Sequence, residues 1–157
     1  MKSSSESIPT YRNTQSGTVL RIIMVSMLVM FLVIGFSSSP WMIPTTILLI
    51  ILIATFHSLT TEVHEDSIVI WFGIGLIRRT IPISRIEGCS VARTPWYVGW
   101  GIRLLPGGGW LWNVSGFESV ELSYVAGGRF RIGTDQPEEL SAAITSVIMS
   151  ENDTDPA

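Results

Sequence analysis

Apolar residues along this chain follow two patterns, and the change between them divides it. From Ile22 to Phe36 the sequence IIMVSMLVMFLVIGF carries no charge. After Ser37–Pro40 (SSSP), WMIPTTILLIILIATF runs uncharged from Trp41 to Phe56. Neither run has a polar face at helical spacing, which a helix packed on one side of a small core normally shows. With its flanks, each run approaches the ~20 residues that a helix needs to cross ~30 Å of hydrocarbon. The pattern predicts a two-helix transmembrane hairpin over residues 18–59, with helices at about 18–36 and 41–58. Pro44 falls in the first turn of the second run, where its missing N–H is harmless, and Trp41 stands where an interfacial aromatic would anchor the end.

Past residue 60 the period becomes two. In Ser67–Gly73 (SIVIWFG), Ile68, Ile70 and Phe72 alternate with Val69 and Trp71. Thr80–Ile86 (TIPISRI) contains Pro82, the mark of an edge strand or bulge. In Glu118–Val125 (ESVELSYV), Val120, Leu122 and Tyr124 alternate with Glu121 and Ser123. Ala126-Gly127-Gly128 is a hairpin-turn signal, and the RFRI that follows sets Phe130 and Ile132 inward, Arg129 and Arg131 outward. Gly73-Ile74-Gly75 reads as another turn. This is a half-buried antiparallel sheet. The period then changes to that of a helix. Asp135-Gln136-Pro137-Glu138 has the form of a capping box with Asp135 as N-cap, and Leu140, Ala143, Ile144, Val147 and Ile148 make one apolar stripe. The domain therefore spans residues 60–150, between a flexible tail at 1–17 and a disordered acidic tail at 151–157.

From about Thr61 to Ile144 the chain resembles the small membrane-anchored bacterial pleckstrin-homology (PH-like) proteins. The resemblance is carried by VHED at Val63–Asp66, FGIGL at Phe72–Leu76, IPISRIEGC at Ile81–Cys89, TPWYVGWGIR at Thr94–Arg103, WLWNVSG at Trp110–Gly116, VEL at Val120–Leu122 and FRIGTDQPEEL at Phe130–Leu140. It implies an α+β protein: the helical hairpin followed by a seven-stranded PH-like bent antiparallel sheet or barrel, capped by one C-terminal helix. It also implies a binding scaffold for lipids or proteins. Phosphoinositide-binding members place several Lys and Arg around the first hairpin; only Arg78 and Arg79 stand there in this chain, which argues against inositides.

Charge adds orientation and excludes some partners. Only 15% of the 157 residues are charged, against about a quarter in typical soluble domains. Lys2, Arg12 and Arg21 precede the first apolar run, Arg78 and Arg79 follow the second, and the connection has no basic residue. The positive-inside rule then places a multi-pass protein in the cell (inner or plasma) membrane with both termini cytoplasmic. Residues 60–157 carry seven Arg against twelve acids, a net of −5, which disfavours nucleic acid. Residues 78–103 alone carry five Arg (78, 79, 85, 93 and 103) against Glu87.

Candidate chemistry is sparse. His57 and His64 are the only histidines and Cys89 is the only cysteine. No metal site, cofactor or catalytic residue is expected: Cys89 reads as strand packing, and Asn113 as a residue bonding locally at a turn. An enzyme is retained only as a residual class.

The densest feature is TPWYVGWGIRLLPGGGWLWNVSG at 94–116, which holds four of the six tryptophans. Either these rings fill a thin core, with glycines where the backbone crowds or turns, or they are partly exposed and form a working surface. On the second reading the candidate lipid or partner surface comprises Arg78, Arg79, Arg93, Trp96, Tyr97, Trp100, Arg103, Trp110 and Trp112. The expected function is a non-enzymatic, membrane-anchored binding module, integral to the bilayer, that engages a protein partner or assembles as a homo-oligomer. The alternative is a sensor of anionic lipid head groups.

Overall fold

The computed structural model describes residues 9–34 and 40–154. Residues 1–8 and 155–157 of the two expected tails, and 35–39 of the expected helical connection, lie outside the described residues. The chain order is β1 (Tyr11–Ser16), α1 (Thr18–Ile34), α2 (Met42–Phe56), β2 (Ser58–Val63), β3 (Ser67–Phe72), β4 (Ile77–Pro82), a 3-10 turn at Ile83–Arg85, and β5 (Ile86–Arg93). A second 3-10 turn at Trp96–Val98 leads to β6 (Gly101–Leu104), β7 (Trp110–Asn113), β8 (Glu118–Tyr124), β9 (Arg129–Gly133) and α3 (Pro137–Thr154).

Two sheets result. The first is antiparallel in the order β1-β2-β3-β4, and the second runs β5-β8-β9-β7-β6. In the second sheet β7 and β9 are parallel, with Leu111 opposite Arg131. Nine strands in two sheets with one parallel pairing replace the single seven-stranded antiparallel sheet that the resemblance implied. β9 lies between β8, to which it is antiparallel, and β7, to which it is parallel.

The core lies between the sheets. Ile68, Ile70 and Phe72 of β3 meet Val120 and Leu122 of β8 and Phe130 and Ile132 of β9, all fully buried. Leu140, Ile144 and Val147 of α3 close it. A row of rings crosses the core. Phe56 lies 5.2 Å from Phe72, Phe72 lies 5.2 Å from Trp112, and Trp112 lies 5.8 Å from Phe130.

The transmembrane hairpin is overturned. Among the described residues no helix is long and apolar enough to cross a membrane, so the multi-pass membrane placement falls with it. α1 has 17 residues and α2 has 15, or about 25 Å and 22 Å at ~1.5 Å per residue, short of ~30 Å of hydrocarbon. The cause is strand pairing. Ser16 stands opposite Ser58 in the β1–β2 register, so strand ends immediately before α1 and resumes two residues after α2. The second apolar run overestimates its helix because Ser58, counted with it, belongs to β2. Gly17 sits at this base, its N–H donating to the His57 carbonyl at 2.9 Å.

Three local expectations also change. Tyr11–Ser16 forms the outer strand of the first sheet, where a flexible tail was expected. Helix continues through Glu151 to Thr154. Asp135 is not the cap of α3: the Gln136 carbonyl accepts the first helical bond, from Leu140 N–H, and Pro137 takes the first helical position, where its missing N–H costs nothing.

Candidate functional site

β4 ends the first sheet, and its outer side faces the β8–β9 turn instead of another strand. Between them lies a cleft of about 440 Å³, within the size range of small-molecule sites. Arg79 and Ile81 line one wall, Ser84 and Arg85 of the 3-10 turn form its end, and Tyr124, Val125 and Ala126 form the other wall. The Val125 N–H donates to the Arg85 carbonyl at 3.0 Å, tying that turn to β8 and fixing the distance between the walls.

The polar groups in the cleft are unusually poor in partners. The half-buried Arg79 guanidinium stacks over the Phe130 ring at 4.6 Å from its centroid. Among the described residues, the ion pairs involve Arg12, Arg129, Arg131 and His64; neither Arg79 nor Arg85 has a carboxylate within 4.0 Å. The Tyr124 hydroxyl is buried without a hydrogen-bond partner. The Arg79 guanidinium, a donor only, lies near the phenolic oxygen but outside good hydrogen-bond geometry. Burial pushes the phenol above its ordinary value, and the two guanidiniums, Arg79 foremost, pull it partly back.

The nine residues singled out from the sequence do not form one surface. Arg78 and Arg79 are on β4, Arg93 ends β5, and Arg103 is on β6. β5 and β6 are opposite edges of the second sheet, so the basic segment 78–103 is dispersed by the fold. Arg78 lies 5.7 Å from the Trp71 ring centroid, and Arg103 Nε donates to the Trp100 carbonyl at 3.0 Å.

The aromatic side chains divide as well. Trp112, at 7% exposure, belongs to the core and is removed from the candidate surface. Trp96 at 78%, Tyr97 at 65% and Trp110 at 45% are exposed, and Trp96 meets Tyr97 edge-on with centroids 6.2 Å apart. Trp100 is half-buried, its Nε1 donating to the Gly116 carbonyl at 3.2 Å. Arg85 and Tyr124 were not among the sequence candidates. Their signal, arginines in a segment with the single acid Glu87 and a strand tyrosine on an inward position, is ambiguous until the fold brings residues 79–85 against 124–127.

The remaining reactive side chains are held locally. His57 Nδ1 lies 2.9 Å from the Ala54 carbonyl, and His64 Nε2 lies 3.3 Å from Glu62 Oε2. Cys89 Sγ sits against α3, 3.3 Å from Thr145 Oγ1. The buried Asn113 donates to the Gly116 carbonyl and accepts from Ser115 N–H, each at 3.1 Å. Among the described residues no group of three His, Cys, Asp or Glu side chains is placed to hold a metal ion.

Compared with known proteins, the chain matches no family model, and no curated protein is significantly similar to it.

Proposed function

We propose that this chain is a non-enzymatic binding module that assembles with a second copy of itself through the α1–α2 hairpin. The observation carrying this reading is the hairpin's surface. Ten large apolar side chains of α1 and five of α2 are exposed, and no residue of α1 is buried. Isolated apolar groups on a surface need no explanation, but a contiguous patch of this extent marks an interaction site.

A second copy is the occupant that fits. The hairpin has one charge, Arg21, so it offers little with which to select a different partner by charge. Its two helices are of similar length and apolar on every side, so two hairpins related by a twofold axis can bury one another as a four-helix bundle. The local tethering of His57, His64 and Cys89 supports binding over catalysis. A sensor of anionic head groups has weaker support, because Arg78, Arg79, Arg93 and Arg103 occupy three separate elements.

Sedimentation velocity of the full chain across a tenfold concentration range tests this reading. A concentration-dependent dimer or higher oligomer is expected, and Val29→Lys combined with Ile47→Lys shifts it to monomer with an unchanged circular dichroism spectrum. A chain that stays monomeric, or one that sediments with neutral vesicles without oligomerising, overturns the proposal.

A further inference from the structure

The geometry points to the cleft between β4 and the β8–β9 turn as a binding site for a small oxyanion, a carboxylate or phosphate monoester, carried on a short apolar body. The first reason is an imbalance of charge. Elsewhere the fold supplies its half-buried arginines with acids: Arg131 Nε lies 2.6 Å from Glu121 Oε2, and Arg129 Nη1 lies 3.8 Å from Glu121 Oε1. Arg79 is half-buried as well, yet among the described residues it has no carboxylate within 4.0 Å. A guanidinium withdrawn from water without a counter-charge is costly, and an anion arriving in the cleft removes that cost.

The second reason is convergence. Arg79 projects from the β4 wall, Arg85 comes from the 3-10 turn, and the buried Tyr124 hydroxyl lacks a hydrogen-bond partner. Two cations and one neutral donor are the set that a tetrahedral or planar oxyanion takes, since guanidinium N–H groups suit carboxylate and phosphate oxygens and bond them more strongly than neutral donors do. The hydroxyl, which no protein group meets in good hydrogen-bond geometry, is then satisfied by an oxygen of the bound molecule.

The third reason is the rest of the lining. Ile81, Pro82, Val125 and Ala126 give the cleft an apolar side, which is unnecessary for inorganic phosphate and suited to an aliphatic or aromatic substituent. Arg78, the neighbour of Arg79, points to the other face of β4 and stacks on Trp71, so the site discriminates between adjacent arginines. Binding at the cleft does not depend on the oligomeric state.

Titration of the full chain with phenyl phosphate, followed by calorimetry and by the arginine Nε–H resonances, tests this. Saturable binding is expected, with Arg79 and Arg85 resonances shifting and Arg78 and Arg93 unmoved. Arg79→Gln and Arg85→Gln each weaken it at least tenfold, Tyr124→Phe weakens it severalfold, and Arg78→Gln and Arg93→Gln change it less than twofold. Because Arg79 packs on a core ring, Arg85→Gln, on an exposed turn, keeps the test valid if Arg79→Gln does not fold. Inorganic phosphate is expected to bind more weakly than phenyl phosphate, and benzyl alcohol not at all. Phosphatidylcholine vesicles containing phosphatidate form a further arm: capture that is lost in Arg85→Gln and kept in Arg93→Gln makes a lipid head group the source of the oxyanion. No saturable binding of phenyl phosphate, or equal losses in all four arginine variants, overturns the proposal.

Discussion

Gly133 needs no left-handed backbone, yet a Cβ there would collide with the Asn113 side chain. That side chain organises the turn between β7 and β8, and the Gly116 carbonyl it bonds also accepts from the Trp100 indole. Gly133→Ala is therefore expected to cost about 1–3 kcal/mol, as overpacking of a tight interior does, read from urea denaturation. Glu121 is the complementary case, a carboxylate at 15% side-chain exposure serving two arginines. Glu121→Ala leaves Arg131 without its partner, and a loss of about 1–3 kcal/mol is expected by the same measurement. The tyrosines predict an alkaline limit. Burial raises both Tyr11 and Tyr124 above the ordinary phenol value, so folding holds their protons more tightly than the unfolded chain does. Their stabilising contribution is complete below about pH 10 and is lost as pH climbs through the raised values. Unfolding followed at 222 nm, with phenolate absorbance at 295 nm, should show this loss, and Tyr124→Phe should reduce it. At this scale the sequence is least explicit. Trp96 and Trp112 are the same residue type in the same segment, yet one is 78% exposed and the other 7%. The difference is set by the parallel pairing of Trp112 with Ile132, which no local pattern encodes.

Elements with strong contrast between apolar and polar positions are legible. The alternation in Ser67–Phe72, Glu118–Tyr124 and Arg129–Gly133 lies in β3, β8 and β9, and the stripe Leu140 to Ile148 lies in α3. Leu140→Ala or Ile144→Ala, at fully buried positions, should destabilise by about 2–5 kcal/mol, whereas Met149→Ala, exposed on the same helix, should stay within about 0.5 kcal/mol. Thermal melts separate the two groups. Elements whose reason to exist is another element are not legible. In Tyr11–Ser16, YRNTQS has one apolar residue and reads as a tail, but β2 offers it an unpaired edge, and the backbone groups of both strands are satisfied by pairing. The capping signal at Asp135 is strong locally, yet its carboxylate accepts from Asn13 Nδ2 at 2.7 Å, a residue of the strand that the sequence conceals. The apolar runs at 22–36 and 41–56 identify helices, but strand register and not hydropathy sets where α1 begins and where α2 ends.

For the whole molecule, β1 is a cover as much as a strand. Removing residues 1–16 exposes the β2 edge, with Leu59 and Val63 beneath it, and unpaired edges template aggregation. The truncated chain is expected to melt several degrees lower and to scatter light on heating, which a thermal ramp with turbidity readout checks. The candidate cleft depends on the same long-range assembly. It brings Arg79 and Arg85 against Tyr124 and Val125, segments that share no motif, and so only the fold reveals it.

The register that sets Ser16 against Ser58 has a mechanical meaning. The helical pair leaves the β-body through two strands bonded side by side, not on one swivelling tether, so twist applied at the helices is carried into the first sheet. Where hairpins lock together, the sheets they carry are held at a fixed azimuth, and every cleft in the assembly opens in a direction set by the bundle.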